Sequence, residues 1–270
     1  MIGLLTAAMA IAPASAAGST FVICAPGFPA TTQQAQETMD VFAEAVASAA
    51  GWSGSDLAAV FLATEKAGLD RIAEGDAPVV MVPLEFFLAH EEDLALHPIA
   101  QAVQDYGAEE LWSLVAKKGA IAGPASLAGW QVTGRPGYVP AFVRGPVLGT
   151  WGSLPEDTVI TPTERPLSAL RKAAAGEKVA VLLDREQAGS LASLPFAGEL
   201  EVVARSEPLP GIIVAMVGDR LTPDRAAQIR KGLLSLKQSE GELLRTMRLA
   251  GFQEIDGSAL DAARGAFGRR

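Results

Sequence analysis

Short apolar runs alternate with longer segments of helical periodicity along the first third of the chain. The runs Phe21–Ala25, Leu57–Ala63 and Val79–Val82 predict strands, because each is brief, apolar and bounded by turn or capping residues. A helix is predicted in each of the two intervals between them. Strands that alternate with helices at this spacing predict a parallel sheet with right-handed crossovers, whose ligands bind at the carboxyl ends of the strands.

Helix N-termini supply the first candidate ligand contacts. Thr31, followed three residues later by Gln34, forms a capping-box pattern that opens the first helix, and Gly51 is expected to end it. Thr31 and Thr32 can offer hydroxyl and amide donors to a small anion, because the start of a helix carries partial positive charge. Plain helix capping explains the same residues equally well and does not exclude binding.

The second half of the chain begins a new α/β unit and then returns to the first. The segment Arg165–Ala175 predicts a helix with Leu167, Leu170 and Ala174 facing inward, and the uninterrupted apolar run Val179–Leu183 predicts a strand covered on both faces. Two further strands, Leu200–Ala204 and Ile212–Val217, are separated by a link with two prolines that must run extended. The pattern predicts a second unit inserted between the two halves of the first.

The C-terminal segment is predicted to be helical. Thr222 followed by Pro223 marks a helix start, and a further helix is expected over residues 240–250, ended by Gly251. A short last helix is expected from Ser258.

Composition and charge narrow the function classes. The 270 residues include 22 lysines and arginines against 31 aspartates and glutamates, giving a net charge of -9 and a pI near 4.8. A chain this acidic lacks the basic face that nucleic acids require, so no nucleic-acid partner is expected. The single cysteine, Cys24, excludes an internal disulfide, and its place in an apolar run favours a buried thiol.

No metal and no cofactor are expected from the motifs. His90 and His97 lie on either side of a predicted element boundary, which is not the spacing of a helical two-histidine site. The sequence contains no P-loop, dinucleotide-binding fingerprint or nucleophile elbow.

The N-terminus has the pattern of an export signal. The apolar run Ile2–Ala12 is too short to cross a bilayer but fits the core of a secretory signal, and Pro13–Ala16 supplies the small residues of a cleavage site. We therefore expect residues 1–16 to be a signal peptide and the protein to be periplasmic or secreted. A basic segment after Met1 is missing, which means either that the true start lies upstream or that the segment is not a signal.

Three segments resemble a known protein family. Residues 68–83, a helix followed by a small gap and an apolar strand, resemble a unit of type II periplasmic solute-binding proteins. Residues 168–184, which end in a strand that delivers Asp184, look like the phosphate-, phosphite- and phosphonate-binding PhnD-type branch of that family. Residues 206–211 resemble the return crossing of the same branch. Where the branch usually has a run of Ser and Thr, this chain has Arg135–Pro140.

The resemblance implies an α/β fold of two lobes, each a mostly parallel sheet flanked by helices, joined by two crossing segments. It assigns residues 17–116 and 206–270 to lobe 1 and residues 117–205 to lobe 2. It also implies a monomeric, non-enzymatic substrate-binding component of an ABC-type uptake system. Such a protein closes on a small anionic or zwitterionic ligand, here phosphonate- or phosphate-like, and delivers it to a membrane permease.

Candidate ligand contacts in the second lobe follow predicted strands. Arg135 and Arg144 flank a predicted helix start, and a guanidinium is a natural bidentate partner for carboxylate or phosphonate oxygens, although surface exposure is the commoner fate of an arginine. Tyr138 can stack on a ligand or hydrogen-bond to it, or simply pack with its hydroxyl in water. Asp184 ends a buried strand, where it either accepts from a ligand amine or caps the next helix.

Further candidates lie at the ends of first-lobe strands. Glu85 and Phe86 follow the third strand and can line the wall of the cleft, although one of Phe86 and Phe87 is expected to be core packing. Glu65 follows Thr64 at a position where the family branch commonly has an aromatic residue.

Two functions of other classes stay open. A cleft enzyme on the same fold, such as a chorismate-dehydratase-like lyase, would need a general acid or base, for which Asp184 and Glu85 are the available groups. A ligand-free accessory or sensor module is the other alternative, and the missing Ser/Thr run favours it.

Overall fold

The computed structural model describes residues 18–236 and 241–268, so the signal peptide predicted for residues 1–16 lies outside the described residues. Its α-helices are α1 (Thr32–Ala50), α2 (Glu65–Ala73), α3 (Leu84–His90), α4 (Pro140–Phe142), α5 (Pro166–Ala175), α6 (Arg185–Ser190), α7 (Pro223–Ser235), α8 (Glu242–Thr246) and α9 (Gly257–Phe267). Its strands are β1 (Ser19–Cys24), β2 (Leu57–Leu62), β3 (Val79–Pro83), β4 (Leu96–Gln104), β5 (Glu109–Glu110), β6 (Ser113–Lys117), β7 (Gln131–Gly134), β8 (Val159–Thr161), β9 (Val179–Leu183), β10 (Leu200–Arg205), β11 (Leu209–Pro210), β12 (Ile212–Val217) and β13 (Leu249–Gln253).

The strands form two large sheets and one short connecting pair. Six strands lie in the order β13-β4-β12-β3-β1-β2, and five lie in the order β10-β6-β9-β7-β8. The pair β5–β11 is antiparallel and joins the two segments in which the chain passes from the first sheet to the second and back. Both connections therefore run side by side.

The sheets are mixed, whereas the resemblance implied mostly parallel ones. The predicted parallel unit is present, because β1 pairs in parallel with both β2 and β3. However, β12 returns from the second sheet in the opposite direction and pairs antiparallel with β3 and β4. In the second sheet, β9 is buried at every position but is parallel only to β7, since its other neighbour β6 is antiparallel.

Helix α1 forms as its sequence predicts. Thr31 and Gln34 complete the capping box, and Gly51 ends the helix in the left-handed conformation at φ 75°. The buried side of the helix includes Phe42, whose ring meets the ring of Phe21 in β1 edge to face at 5.3 Å. Truncating a fully buried phenylalanine typically costs about 3–5 kcal/mol, so this contact fixes the helix on the sheet.

One predicted helix is partly a strand. The segment 240–250 was expected to be helical, but α8 ends at Thr246, and the chain turns at Arg248, with φ 57°, into β13. β13 pairs antiparallel with β4, more than a hundred residues earlier. Gly251 therefore lies inside a strand rather than at a helix end. The local periodicity could not predict this, because the strand depends on a partner far away in the sequence.

The phase of α5 also differs from the prediction. Leu167 is 41% exposed, whereas Ala169, Leu170 and Ala173 are buried against the second sheet. Leu170 and Ala174 do pack against the second sheet as predicted, so the prediction is wrong only for Leu167. In the described part of the chain, no helix has the length and apolar character needed to cross a membrane.

Replacing Gly232 in α7 with alanine is expected to cost about 1–3 kcal/mol of unfolding free energy, because a Cβ there would be 2.9 Å from the backbone nitrogen of Ala50. The control is Gly189→Ala in α6, where nothing lies within 4 Å; it should be neutral or stabilise by up to about 1 kcal/mol. Urea denaturation of both variants measures the difference, and equal effects would contradict this packing argument.

Candidate functional site

A cavity of about 570 Å³ is lined by residues from both sheets and their following loops. From the first sheet it is lined by Ile23, Met81 and Ile212, and from the loop after β7 and the start of α6 by Arg135, Asp184 and Glu186. A smaller space of about 100 Å³ shares Arg135 and reaches Cys24, Glu85, Glu110 and Trp112. Arg135 therefore lies at the point where the two spaces meet.

A turn of two glycines and a proline places Arg135. A Cβ on Gly134 would be 2.6 Å from the carbonyl oxygen of Leu182, and one on Gly137 would be 2.1 Å from that of Thr161. The two glycines thus allow the turn to lie directly on β9 and the end of β8. This close approach directs Arg135 across to the first sheet, where its Cγ is 3.1 Å from the position of a Cβ on Gly27.

The Arg135 guanidinium is held by a carboxylate and an aromatic ring. Its Nη2 is 3.5 Å from Oδ2 of Asp184, and its central carbon is 5.5 Å from the centroid of the Trp112 ring. Burial alone would lower the pKa of Arg135. The attraction by Asp184, Glu85 and Glu110 is stronger, so the pKa is raised. The guanidinium therefore stays charged and faces three carboxyl groups.

Two of these carboxyl groups are satisfied by hydrogen bonds. Asp184 caps α6, where its Oδ1 accepts from the backbone N–H of Gln187 at 2.8 Å. Glu110 accepts three hydrogen bonds at 2.9 Å each, from the Tyr106 hydroxyl and the backbone N–H groups of Leu111 and Arg185. Both carboxylates therefore have hydrogen-bond donors supplied by the protein itself.

Glu85 is the third carboxyl group, and it differs from the other two. It lies in the first turn of α3, is 2% exposed, and its Oε1 has no hydrogen-bond partner among the described residues. Burial raises the pKa of Glu85 to about 7, although Arg135 opposes the shift. Glu85 is thus a buried carboxyl group that gains or loses its proton near neutral pH.

Tyr138 and Cys24 lie close to Glu85. The hydroxyl of Tyr138 is buried without a partner among the described residues, and burial, followed by the charge of Glu85, raises the pKa of Tyr138. Cys24 is buried as predicted, and burial raises the pKa of its thiol to about 12. A thiol with so high a pKa is not a nucleophile at neutral pH.

Thr31 and Thr32 are exposed at the start of α1. Thr31 accepts from the backbone N–H of Gln34 at 3.2 Å, so its hydroxyl caps the helix. Gln34, together with Thr38 one turn further on, lines the larger cavity. The first turns of α1 therefore form one wall, while the two threonines themselves are not among its lining residues.

Glu65 and Phe86 lie behind the cavity wall. Oε1 of Glu65 is 2.8 Å from Nε2 of His90, and the ring of Phe86 is 4.7 Å from that of His90. Phe86 and Phe87 are both fully buried. The structure therefore places both phenylalanines in the core, and it pairs Glu65 with a histidine.

Arg144 lies apart from the cavity. Its guanidinium donates to the backbone carbonyl oxygens of Leu154, Pro155 and Thr158 at 2.9–3.2 Å. These bonds hold the loop before β8, and Arg144 lines neither cavity. Its position does not support the ligand contact predicted from its place in the sequence.

Sequence reasoning missed several residues that complete the site. Tyr106, Glu110 and Trp112 all lie in the short segment that leads from the first sheet to the second. The signal was present, since polar and aromatic residues gather just before a predicted strand. Only the antiparallel pairing of the two connections, however, brings this segment to Arg135. In the described residues, no group of three His, Cys, Asp or Glu side chains has the arrangement to hold a metal ion.

Comparison by sequence finds no relatives. No protein-family model matches the chain, and no curated protein matches it. The similarity that exists is in three dimensions.

Solved structures share this fold over nearly the whole chain. Protein XAC2383 from Xanthomonas citri, bound to ATP, is similar with a TM-score of 0.70 and 12% identity, over 93% of this chain and 98% of that one. PhnD1 from Prochlorococcus marinus, in complex with methylphosphonate, has a TM-score of 0.62 and 14% identity, over 93% and 97%. A binding protein component of an ABC phosphonate transporter from Pseudomonas aeruginosa has a TM-score of 0.57 and 14% identity, over 90% and 83%.

These neighbours define the class of fold. The chain has the α/β fold predicted from its sequence, that of periplasmic-binding-protein-like structures. At identities of 12–14% the likeness extends to the fold alone.

Proposed function

We propose that this protein is the substrate-binding component of an ABC-type uptake system, which closes on a small ligand around Arg135 and delivers it to a membrane permease. Residues 17–116 and 206–270 would form one lobe and residues 117–205 the other, and residues 1–16 would direct export to the periplasm. The observation that carries the proposal is the cavity of about 570 Å³, which is lined by residues of both proposed lobes and includes the partly buried Arg135. Small-molecule sites of binding proteins are typically concave and of this size.

The charges of the cavity favour a zwitterionic ligand over a simple anion. Arg135 can hold a phosphonate or carboxylate group, because a guanidinium pairs with such oxygens in a bidentate manner. The acidic residues of the two spaces, however, outnumber the arginines; they are Glu85, Asp105, Glu110, Asp184 and Glu186. A dianion would add to this excess of negative charge, whereas a ligand with its own ammonium group would offset it.

The bound ligands of similar structures are consistent with an acidic group on the ligand. PhnD1 was solved with methylphosphonate and XAC2383 with ATP. We therefore place the ligand of this protein among phosphonates, phosphates and amino acids that carry one acidic group, with an amino-substituted phosphonate as the preferred class.

A thermal-shift screen tests the proposed function. The panel contains phosphate, phosphite, methylphosphonate, an aminoalkylphosphonate, glycine, arginine and ATP. A ligand at 100 times its dissociation constant stabilises the folded state by about 2.7 kcal/mol, which raises the unfolding midpoint by roughly 5–10 °C in a chain of this size. No shift with any member of the panel would overturn the proposal and favour a ligand-free accessory module.

Arg248→Ala is expected to shift the ligand-free protein towards a more open form. Arg248, before β13, contacts both carboxylate oxygens of Glu186 on α6 at 2.5–2.6 Å, and this pair bridges the two proposed lobes at the cavity mouth. Both side chains are more than half exposed, so the loss of unfolding free energy should stay below about 1 kcal/mol. Small-angle X-ray scattering should show a larger radius of gyration.

Arg230→Ala is the matched control for the opening of the cleft. Its exposed pair with Glu254 lies within the proposed first lobe, with an N–O distance of 2.7 Å. Its loss should leave the radius of gyration unchanged. If both variants scatter like the wild type, the Arg248–Glu186 pair does not restrain opening.

A further inference from the structure

Glu85 is the carboxyl group of the smaller space that lacks a hydrogen-bond partner for one of its oxygens within the part of the chain that the structure describes. Its Oε1 is buried and has no partner among the described residues, and the side chain faces the smaller space next to Arg135. Asp184 and Glu110 are both held by donors, as described above. One buried carboxyl oxygen is therefore available for a bond that the protein itself does not make.

The charges around Glu85 come from three other parts of the fold. Arg135 approaches from the turn after β7, Glu110 from β5 and Asp184 from the end of β9, while Tyr138 and Cys24 are the neighbouring neutral groups. One guanidinium thus faces three carboxyl groups. Since Asp184 is in contact with Arg135 and Glu110 accepts three hydrogen bonds, Glu85 is the member for which ionisation costs most.

We propose that Glu85 acts in ligand binding as a neutral carboxylic acid, which donates its proton in a hydrogen bond to an acidic oxygen of the ligand held by Arg135. The inference rests on the proposed function of the cavity. It assigns two contacts to the same acidic group of the ligand, a guanidinium and a carboxylic O–H.

Binding of this kind takes up a proton above neutral pH. Burial gives Glu85 a pKa of about 7 in the free protein. A negatively charged ligand group beside it favours the neutral form further and raises the pKa in the complex. Below pH 7 the free protein already holds the proton, and the affinity is independent of pH. Above pH 7 the affinity falls as pH rises, by roughly tenfold per pH unit at most.

The first experiment needs no ligand. Infrared difference spectra of the full chain, wild type minus Glu85→Gln, are recorded between pH 5 and pH 9. A carboxylic-acid carbonyl band of Glu85 is expected at pH 6, and it should disappear as the pH rises through about 7. A Glu85 that is already ionised at pH 6 would overturn the inference, whatever the ligand proves to be.

The second experiment measures proton uptake on binding. Methylphosphonate and glycine are titrated calorimetrically at pH 6 and pH 8 in two buffers of different ionisation enthalpy. For each compound that binds, we expect the wild type to take up more protons at pH 8 than Glu85→Gln and to lose more affinity between pH 6 and pH 8, because the ionisation of methylphosphonate itself contributes equally to both proteins. The exposed Glu92→Gln control should keep the wild-type profile.

The outcomes separate the two proposals. Absence of binding by the whole screening panel counts against the proposed function, while the infrared measurement still decides the state of Glu85. Proton uptake at pH 8 that is equal in the wild type and in Glu85→Gln overturns the role of Glu85 alone. Proton release, with an affinity that rises with pH, would show instead that ionised Glu85 pairs with the ammonium group of the ligand.

Discussion

Replacing Arg135 with glutamine is expected to abolish ligand-dependent stabilisation and to lower the free energy of unfolding by about 3–5 kcal/mol at pH 8. The substitution leaves Asp184, Glu110 and Glu85 in a buried site without their shared counter-charge. Breaking a buried ion pair from one side is costly because the remaining charge can neither return to water nor find a partner.

The dependence of this loss on pH identifies its cause. Glu85 is neutral well below pH 7 and ionised well above it, so the variant should lose less stability at pH 5 than at pH 8. Chemical denaturation at both pH values measures the difference. Arg171→Gln, at an exposed position on α5, is the control and should change the stability by less than about 0.5 kcal/mol. A loss for Arg135→Gln that is equal at both pH values would mean that Glu85 does not take part in the charge balance of the site.

Local chemistry made the first third of the fold predictable from sequence. Thr31 with Gln34 and Gly51 after α1 are capping signals that act within a few residues, and each has the predicted role. The direction of β12 and the existence of β13 depend instead on partners far away in the chain. Periodicity carries no information on such partners.

The candidate site was predictable only where a strand or turn fixes the side chain. Arg135, Asp184 and Glu85 each follow directly on a strand or begin a helix after one, and the structure brings the three together. Arg144 has the same residue type and a similar sequence setting, yet it bonds backbone carbonyl oxygens nearby. What separates the two arginines is the backbone that their neighbouring glycines approach, because Gly134 and Gly137 lie on β9 and the end of β8, whereas Gly145 lies against Ala266 in α9.

Compared with the wild type, the ligand-free Glu85→Gln variant is expected to become more stable as the pH rises from 5 to 8. Burial raises the pKa of Glu85 from 4.5 to about 7, so the folded protein binds more protons than the unfolded chain between these values. Stability from this group is therefore complete below about pH 4.5 and is lost as the pH rises to about 7. The free energy of unfolding falls by about 3 kcal/mol in total over this range, at 1.36 kcal/mol per pKa unit. The variant, which cannot ionise, escapes this loss.

The measurement compares unfolding free energies of wild type, Glu85→Gln and Glu92→Gln at pH 5, 6, 7 and 8. An amide at position 85 carries its own desolvation cost, but that cost is the same at every pH, so the diagnostic quantity is the change of the difference with pH. We expect the Glu85→Gln difference to move by about 3 kcal/mol in favour of the variant, and the Glu92→Gln difference to stay flat. Parallel profiles for all three proteins would mean that Glu85 is ionised throughout. In that case Arg135 alone would balance three buried negative charges, and the cleft would select a cationic ligand.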